Sequence, residues 1–406
     1  MGGSSQQQHR APGGVSFVES LKYKTLRVGA KLLGVVVEVN ERGMQISLPN
    51  GLKGTVTRAE ASDPFRALGG EKKRARRDRA SGGGSSESDA SDGSDSDAAV
   101  SSDSDSDSEL SDASDAEASL RDAFAVGQIV RCVVLRLDKG KSGGKRVELA
   151  TRLSAVVGGE KGALGSAPPE GVNVPACVES VEDHGYVLSF GYSPGGSKRS
   201  VPARGFLPRK NAPSRETPLV VGSILDVVLD GKKKGPEGDA GSSGSSSVFI
   251  ATADPRRVAN AVTHESDATS MATLLPGMLV NARVREMLAD GVSANFMTYF
   301  VATVDAFHVA DEKTGAAGGK RNAASASPFP AAAASPSAAH AVGDRVRARI
   351  LHVDAATKRV GLTLRPHLLN RAPGLAIGLK LDPEFGGTGG GTGPHASTSI
   401  KLGAVF

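Results

Sequence analysis

One pattern recurs three times along this chain, and it constrains the fold more than any single motif. The first copy opens LRVGAKLLGVVVEVNERGMQISLPNGLKGTV at Leu26, the second EGVNVPACVESVEDHGYVLSF at Glu170, the third LPGMLVNARVREMLADGVSANF at Leu275. Each opens around a glycine, alternates apolar and polar residues, breaks at a turn (Arg42-Gly43, His184-Gly185, Asp290-Gly291) and resumes as a second alternating run. That is the signature of a β-hairpin. A third strand is predicted at 52–57, 205–208 and 302–309, followed by a second glycine-led pair at 126–137 with 146–150, 221–229 with 248–252, and 342–353 with 359–364. Self-similarity at this period means repeated structural units. Five short strands per unit predict an all-β chain of tandem five-stranded OB-type barrels, which close their own edges and commonly hold nucleic acid on strands two and three. A generic β-sandwich is the competing architecture.

The units fall at 26–152, 170–254 and 274–366, with a disordered tail at 1–25 and a linker at 367–406. Unit one carries an insertion at 62–121 that begins with the basic string EKKRARRDRA and continues as Ser/Asp repeats; such a segment has too little apolar surface to offset the entropy of ordering. Unit three holds an Ala/Ser/Pro insertion before His340, and GKKKGPEGDAGSSGSSS, carrying Lys232 to Lys234, reads as a flexible loop in unit two. The glycine run from Gly386 to Pro394 lacks the strand and helix that a dinucleotide site requires, so no cofactor is expected. Aromatic residues are only 4% and Trp is absent, which suits several thin aliphatic cores.

Net charge is +5, but the charges are segregated. Between Ser81 and Leu120 stand 12 acidic residues and no Lys or Arg, leaving 49 basic against 32 acidic residues elsewhere, a balance of +17. A basic folded surface favours a polyanionic partner. Cys132 and Cys177 lie singly within apolar strands, without CxxC spacing or a histidine pair, so they read as buried thiols in a reducing compartment, with neither disulfide nor metal. No apolar run reaches the roughly 18 residues that span a bilayer, and residues 1–14 lack a signal core, so the chain is expected to be soluble and not secreted.

The strand pattern and the closing VGDRVRARILHVDAATKRVGLTL resemble the S1 RNA-binding domain. In order, GVVVEVNERGMQISLPNGLKGTV, VESVEDHGYVLSFG with RGFLPRK, and LLPGMLVNARVREMLADGVSANFMTYFVATVDAFHV resemble the first three repeats of the ribosomal RNA processing protein 5 family. The final KLGAVF resembles the start of a fourth, so the chain is read as a fragment, truncated or short form of such a protein. The resemblance implies a nuclear and nucleolar, non-catalytic scaffold in ribosome biogenesis. Its implied partners are single-stranded precursor rRNA and pre-ribosomal assembly proteins, with no membrane and no small-molecule substrate.

S1 domains stack bases on aromatic groups of strands two and three. Carried over position by position, the contact sites become Arg42, Gln45, Thr57 and Arg146 in unit one; His184, Val187, Pro208 and Ser247 in unit two; and Asp290, Ser293, His308 and Arg359 in unit three. The family's stacking phenylalanines are absent from these sites. RNA contact is therefore expected from Arg42, Arg146, His184, His308 and Arg359, from Lys198, Arg199, Arg204, Arg209 and Lys210 around the second barrel, and from Arg345, Arg347 and Arg349, whose spacing of two predicts one strand face. Tyr186, Phe190, Phe206, Phe296, Tyr299 and Phe300 read as core. Lys72, Lys73, Arg74, Arg76, Arg77 and Arg79 read as a nuclear-import signal or an RNA-binding arm. A scaffold that binds only proteins is the alternative. A nuclease is disfavoured because the dense carboxylates lie in the Ser/Asp tract and no strand end carries paired carboxylates, and a translation factor by the basic cluster and the lack of a transit-peptide pattern.

Overall fold

The computed structural model describes residues 18, 20–68, 119–139, 145–158, 168–192, 203–213, 218–233, 248–268, 270–309 and 340–370. Within them three five-stranded barrels follow one another. The first contains β1 (Lys31–Asn40), β2 (Gly43–Ser47), β3 (Lys53–Thr57), β4 (Ile129–Lys139) and β5 (Lys145–Ala150). The second contains β6 (Asn173–Glu182), β7 (Gly185–Ser189), β8 (Arg204–Pro208), β9 (Ile224–Lys233) and β10 (Val248–Thr252). The third contains β11 (Leu279–Leu288), β12 (Gly291–Phe296), β13 (Phe300–Asp305), β14 (Arg345–Asp354) and β15 (Arg359–Thr363). Each ring runs one-two-three-five-four and closes by pairing its first strand with its fourth. Only the contact of strands three and five is parallel. This is the tandem OB-type architecture that the alternation predicts. The tail at 1–17, most of the 62–121 insertion, the Ala/Ser/Pro insertion and 371–406 lie outside the described residues.

The pleat explains why these sequences make barrels. Side chains alternate across a strand, so Met44, Ile46 and Leu48 all point inward and are buried, as are Tyr186, Leu188 and Phe190 in the second barrel. Each such side chain contributes about 1.5–3 kcal/mol by leaving water. The strands approach closely where a side chain is missing: a Cβ on Gly54 would sit 2.3 Å from Leu149 Cδ1.

Strands one and four of the barrels start from one recurring device. Gly127 has a φ of 84°, a conformation that costs glycine nothing. Its N–H donates to the Val36 carbonyl at 2.7 Å, and the Val36 N–H returns a bond to the Gln128 carbonyl at 2.9 Å. The register of β1 against β2 shifts directly after Val36, so the turn docks onto a β-bulge. Gly29, Gly222, Gly277 and Gly343 repeat the contact against Val134, Val178, Ile350 and Val284. The glycines that mark each repeat in the sequence are thus the points that bend the sheet into a barrel.

The barrels are packed together. Lys31 and Leu32 of β1 pair with Val353 and His352 of β14, joining the first and third barrels into one continuous sheet. Cys177 and Ile224 of the second barrel enter the hydrophobic cluster of the first. All three barrels meet at Arg131 on the outer side of β4. Its guanidinium pairs with Asp226 of β9, donates from Nη2 to Asn173 Oδ1 at 3.2 Å and from Nε to the Pro276 carbonyl at 2.6 Å. Arg131 and Asp226 side chains are 4% and 1% exposed. Both cysteines are free and buried as expected, and burial pushes both thiols well above their ordinary range. They are therefore poor nucleophiles.

Candidate nucleic-acid interface

On the first barrel, Arg42 and Arg146 are exposed beside the outer face of β2 and β3, at the hairpin turn and at the start of β5. Gln45, Thr55 and Glu148 form a row across that face. Glu148 adds a carboxylate to this row, and Arg42 and Arg146 stand at its margin.

On the second barrel, His184 is exposed at the turn and Lys210 just beyond β8. Arg204 forms a two-pronged ion pair with Glu179, at 2.9 and 2.7 Å. Arg209 donates to the carbonyls of Asp183 and Glu182 at 2.8 and 3.0 Å and lies 5.7 Å from the Tyr186 ring centre. Arg209 therefore clamps its own hairpin turn, and both cations are already engaged. Phe206 departs from the expectation of a core residue. Gly205 and Leu207 point inward, so Phe206 points outward beside Val187, with its ring over Gly185. The period of RGFLP carries that information: with Leu207 inward, the aromatic has to face out. Lys198, Arg199, Lys234 and Ser247 lie outside the described residues, as do Lys72, Lys73, Arg74, Arg76, Arg77 and Arg79.

The third barrel departs most from the sequence reading. Ser293 and His308 are 1% and 3% exposed, so neither contacts RNA in this arrangement. The chain segment before the first barrel lies over one end of the outer face of β12 and β13: Ser20 Oγ donates to Asp305 Oδ2 at 2.8 Å, and Val18 lies against Gly291, while Asn295 at the other end is exposed. His308 belongs to a 3₁₀ turn (Ala306–His308) that follows β13, and its Nδ1 lies 3.2 Å from Thr363 Oγ1. Arg359 remains exposed, opposite Asp354. Tyr299, expected in the core, is instead exposed in the β12–β13 turn, where Met297 and Thr298 adopt positive φ. Phe296 is buried and stacks with Phe300 at 5.3 Å.

Burial lowers the His308 pKa to about 4, with Arg365, His352 and His367 adding repulsion and Asp305 opposing it. The folded value lies below the ordinary 6.5, so the unfolded chain takes up this proton more readily, and stability falls as pH drops from about 6.5 toward 4. Urea unfolding at pH 7.5 and 5.5 is expected to show this loss, and His308→Gln is expected to reduce it. An identical loss in the variant would show that other groups drive it.

The row Arg345, Arg347 and Arg349 shares one side of β14, but it is not uniformly exposed. Arg345 and Arg347 are exposed, but Arg349 is buried and donates to the carbonyls of Leu368, Gly277 and Leu369 at 2.7, 2.5 and 2.8 Å. In its place, two arginines that the sequence reading missed complete a patch. Arg283 and Arg285 of β11 are exposed, and Arg283 stands directly opposite Arg345, with Asn281 opposite Arg347. None of these four arginines has a carboxylate partner among the described residues. Like charges placed opposite each other across strands destabilise a sheet, and a polyanion relieves that cost. The signal in the sequence was NARVRE, which alternates in register with RVRAR.

Three S1-type OB barrels, fused side by side and carrying arginine on strand surfaces, define a tandem OB-barrel protein. No protein-family model matches the chain. It is 30% identical over 368 residues to the rRNA biogenesis protein RRP5 of Arabidopsis thaliana, covering 89% of this chain and 15% of that protein. It is 27% identical over 354 residues to the protein RRP5 homolog of Homo sapiens, covering 86% and 15%. The chain is thus homologous over most of its length to the RRP5 rRNA biogenesis proteins and spans about 15% of theirs. A multidomain protein with nucleic acid binding domains from Streptococcus pneumoniae aligns over 83% of this chain at 10% identity and a TM-score of 0.15, too low to bear on the arrangement.

Proposed function

We propose that this chain is a non-catalytic scaffold of ribosome biogenesis, acting in the nucleolus, that binds single-stranded precursor rRNA together with pre-ribosomal assembly proteins. The observation that carries the RNA part is the patch of Arg283, Arg285, Arg345 and Arg347 across β11 and β14. Homology to the RRP5 rRNA biogenesis proteins supports the biological setting. Arg42, Arg146, His184, Lys210 and Arg359 add exposed contacts, so binding is spread over several weak sites on three joined barrels. Carriage on one chain lets them act together, because the second contact is then effectively intramolecular.

Titrating a labelled single-stranded RNA at several salt concentrations tests this. Replacing Arg283, Arg345 and Arg347 together by alanine is expected to reduce the slope of log K against log salt by about 2, at roughly 0.7 for each phosphate that is no longer neutralised. An unchanged slope would remove the patch from the interface. The alternative scaffold that binds only proteins is favoured by one observation, the chain segment laid over the Gly291 and Asp305 end of the outer face of β12 and β13, and a chain showing no RNA affinity at low salt would establish it.

A further inference from the structure

A cleft of about 650 Å³ opens between the first and third barrels. Its walls include Lys53 and Lys145 at the starts of β3 and β5, Lys22 and Tyr23 from the segment leading into the first barrel, and Phe307 from the 3₁₀ turn after β13. Among the described residues no carboxylate side chain lines it. All three lysines are exposed. The aromatic groups are held in place. Tyr23 Oη donates to the Asp138 carbonyl at 2.9 Å, and Lys145 Nζ lies 5.7 Å from the centre of the Tyr23 ring. Phe307 is 69% exposed, although Asp305 accepts its N–H at 3.1 Å and Arg365 donates to its carbonyl at 2.6 Å. A fixed backbone thus presents an apolar ring to solvent, where it gains nothing from burial.

We infer that this cleft is a nucleotide-binding subsite for single-stranded RNA: a base stacks on Phe307 against the Tyr23 wall, and Lys22, Lys53 and Lys145 hold the flanking phosphates. The inference rests on the RNA-binding reading above and adds a site to it. Planar aromatic surface plus concentrated positive charge fits a ligand that is both planar and anionic, which a nucleotide is. A purely apolar peptide would leave the lysines unused, and a phosphate alone would leave Phe307 unused. The volume lies within the range of clefts that enclose small ligands. The stacking function missing from the carried-over sites of the separate barrels is thereby supplied where two barrels meet, so it exists only while they are joined.

The test uses the full chain, a fluorescent single-stranded oligonucleotide and the variants Phe307→Ala and Lys53→Glu with Lys145→Glu, with folding checked by circular dichroism. Stacking is worth roughly 1–3 kcal/mol per base, so Phe307→Ala is expected to weaken binding by about 5- to 150-fold without altering the salt slope. The lysine variant is expected to lower both affinity and slope. Photo-crosslinking should place bound RNA on peptides containing Tyr23 or Phe307. Full-strength binding by Phe307→Ala, with the crosslinks elsewhere, would overturn the cleft while leaving the RNA-binding reading intact. No binding by the unaltered chain would overturn both. Binding of RNA unchanged but loss of a co-purifying protein in Phe307→Ala would instead assign the cleft to a protein partner and overturn the inference.

Discussion

Replacing Arg131 with alanine is expected to cost about 3–5 kcal/mol of folding stability, the usual result of leaving one half of a buried ion pair without the other. Asp226 is almost entirely enclosed, so its carboxylate would lose its buried partner, and Asn173 and the Pro276 carbonyl would lose their donor as well. Chemical denaturation followed by circular dichroism reads the loss as a lower midpoint. Because the three barrels meet at this guanidinium, the single transition is also expected to broaden or split as they come apart. A double replacement, Arg131→Met with Asp226→Leu, should recover most of the stability, since an apolar pair of similar volume avoids the desolvation cost. A midpoint unmoved by Arg131→Ala would mean that the barrels are held by their apolar contacts alone.

Arg349→Met is expected to cost about 3 kcal/mol while leaving RNA affinity unchanged. The side chain spends three donor groups on the Leu368, Gly277 and Leu369 carbonyls, and each buried acceptor left without a donor costs about 1–3 kcal/mol. Burial lowers the Arg349 pKa to about 10, which still leaves it charged at neutral pH. Measuring stability and RNA binding in parallel separates this residue from Arg345, four positions away. Loss of RNA affinity with unchanged stability would return Arg349 to the binding surface.

The two predictions also mark where sequence reading succeeds and where it stops. The strands, hairpin turns and inward positions were legible because the pleat ties side-chain direction to a period of two, and Met44, Ile46 and Leu188 obey it. The same rule places Arg345, Arg347 and Arg349 on one outward face, and for a barrel standing alone that face would be wet. Here Arg349 and its outward neighbour Leu351 are covered by residues far away in the chain. Arg131 was invisible for the same reason: a lone arginine within IVRCVV gives no sign that Asp226 and Pro276 will enclose it. His308 was misplaced for a local reason. The strand predicted at 302–309 ends at Asp305, whose carboxylate accepts the Phe307 N–H, and the resulting turn sends Phe307 outward and His308 inward. Phe206 and the Arg283–Arg345 pairing were available in the sequence, but only once parity and register were fixed for both partner strands.

The pairing of Lys31 and Leu32 with Val353 and His352 has a temporal side. At roughly 5–20 residues per second, a ribosome takes on the order of 15–65 s to make the chain between these partners. For that interval the edge of β1 waits with unpaired backbone groups, the kind of edge that recruits stray strands. The basic string and Ser/Asp tract that follow β3 in the chain are made early in the same interval, so the growing chain carries dense charge while that edge is unpaired.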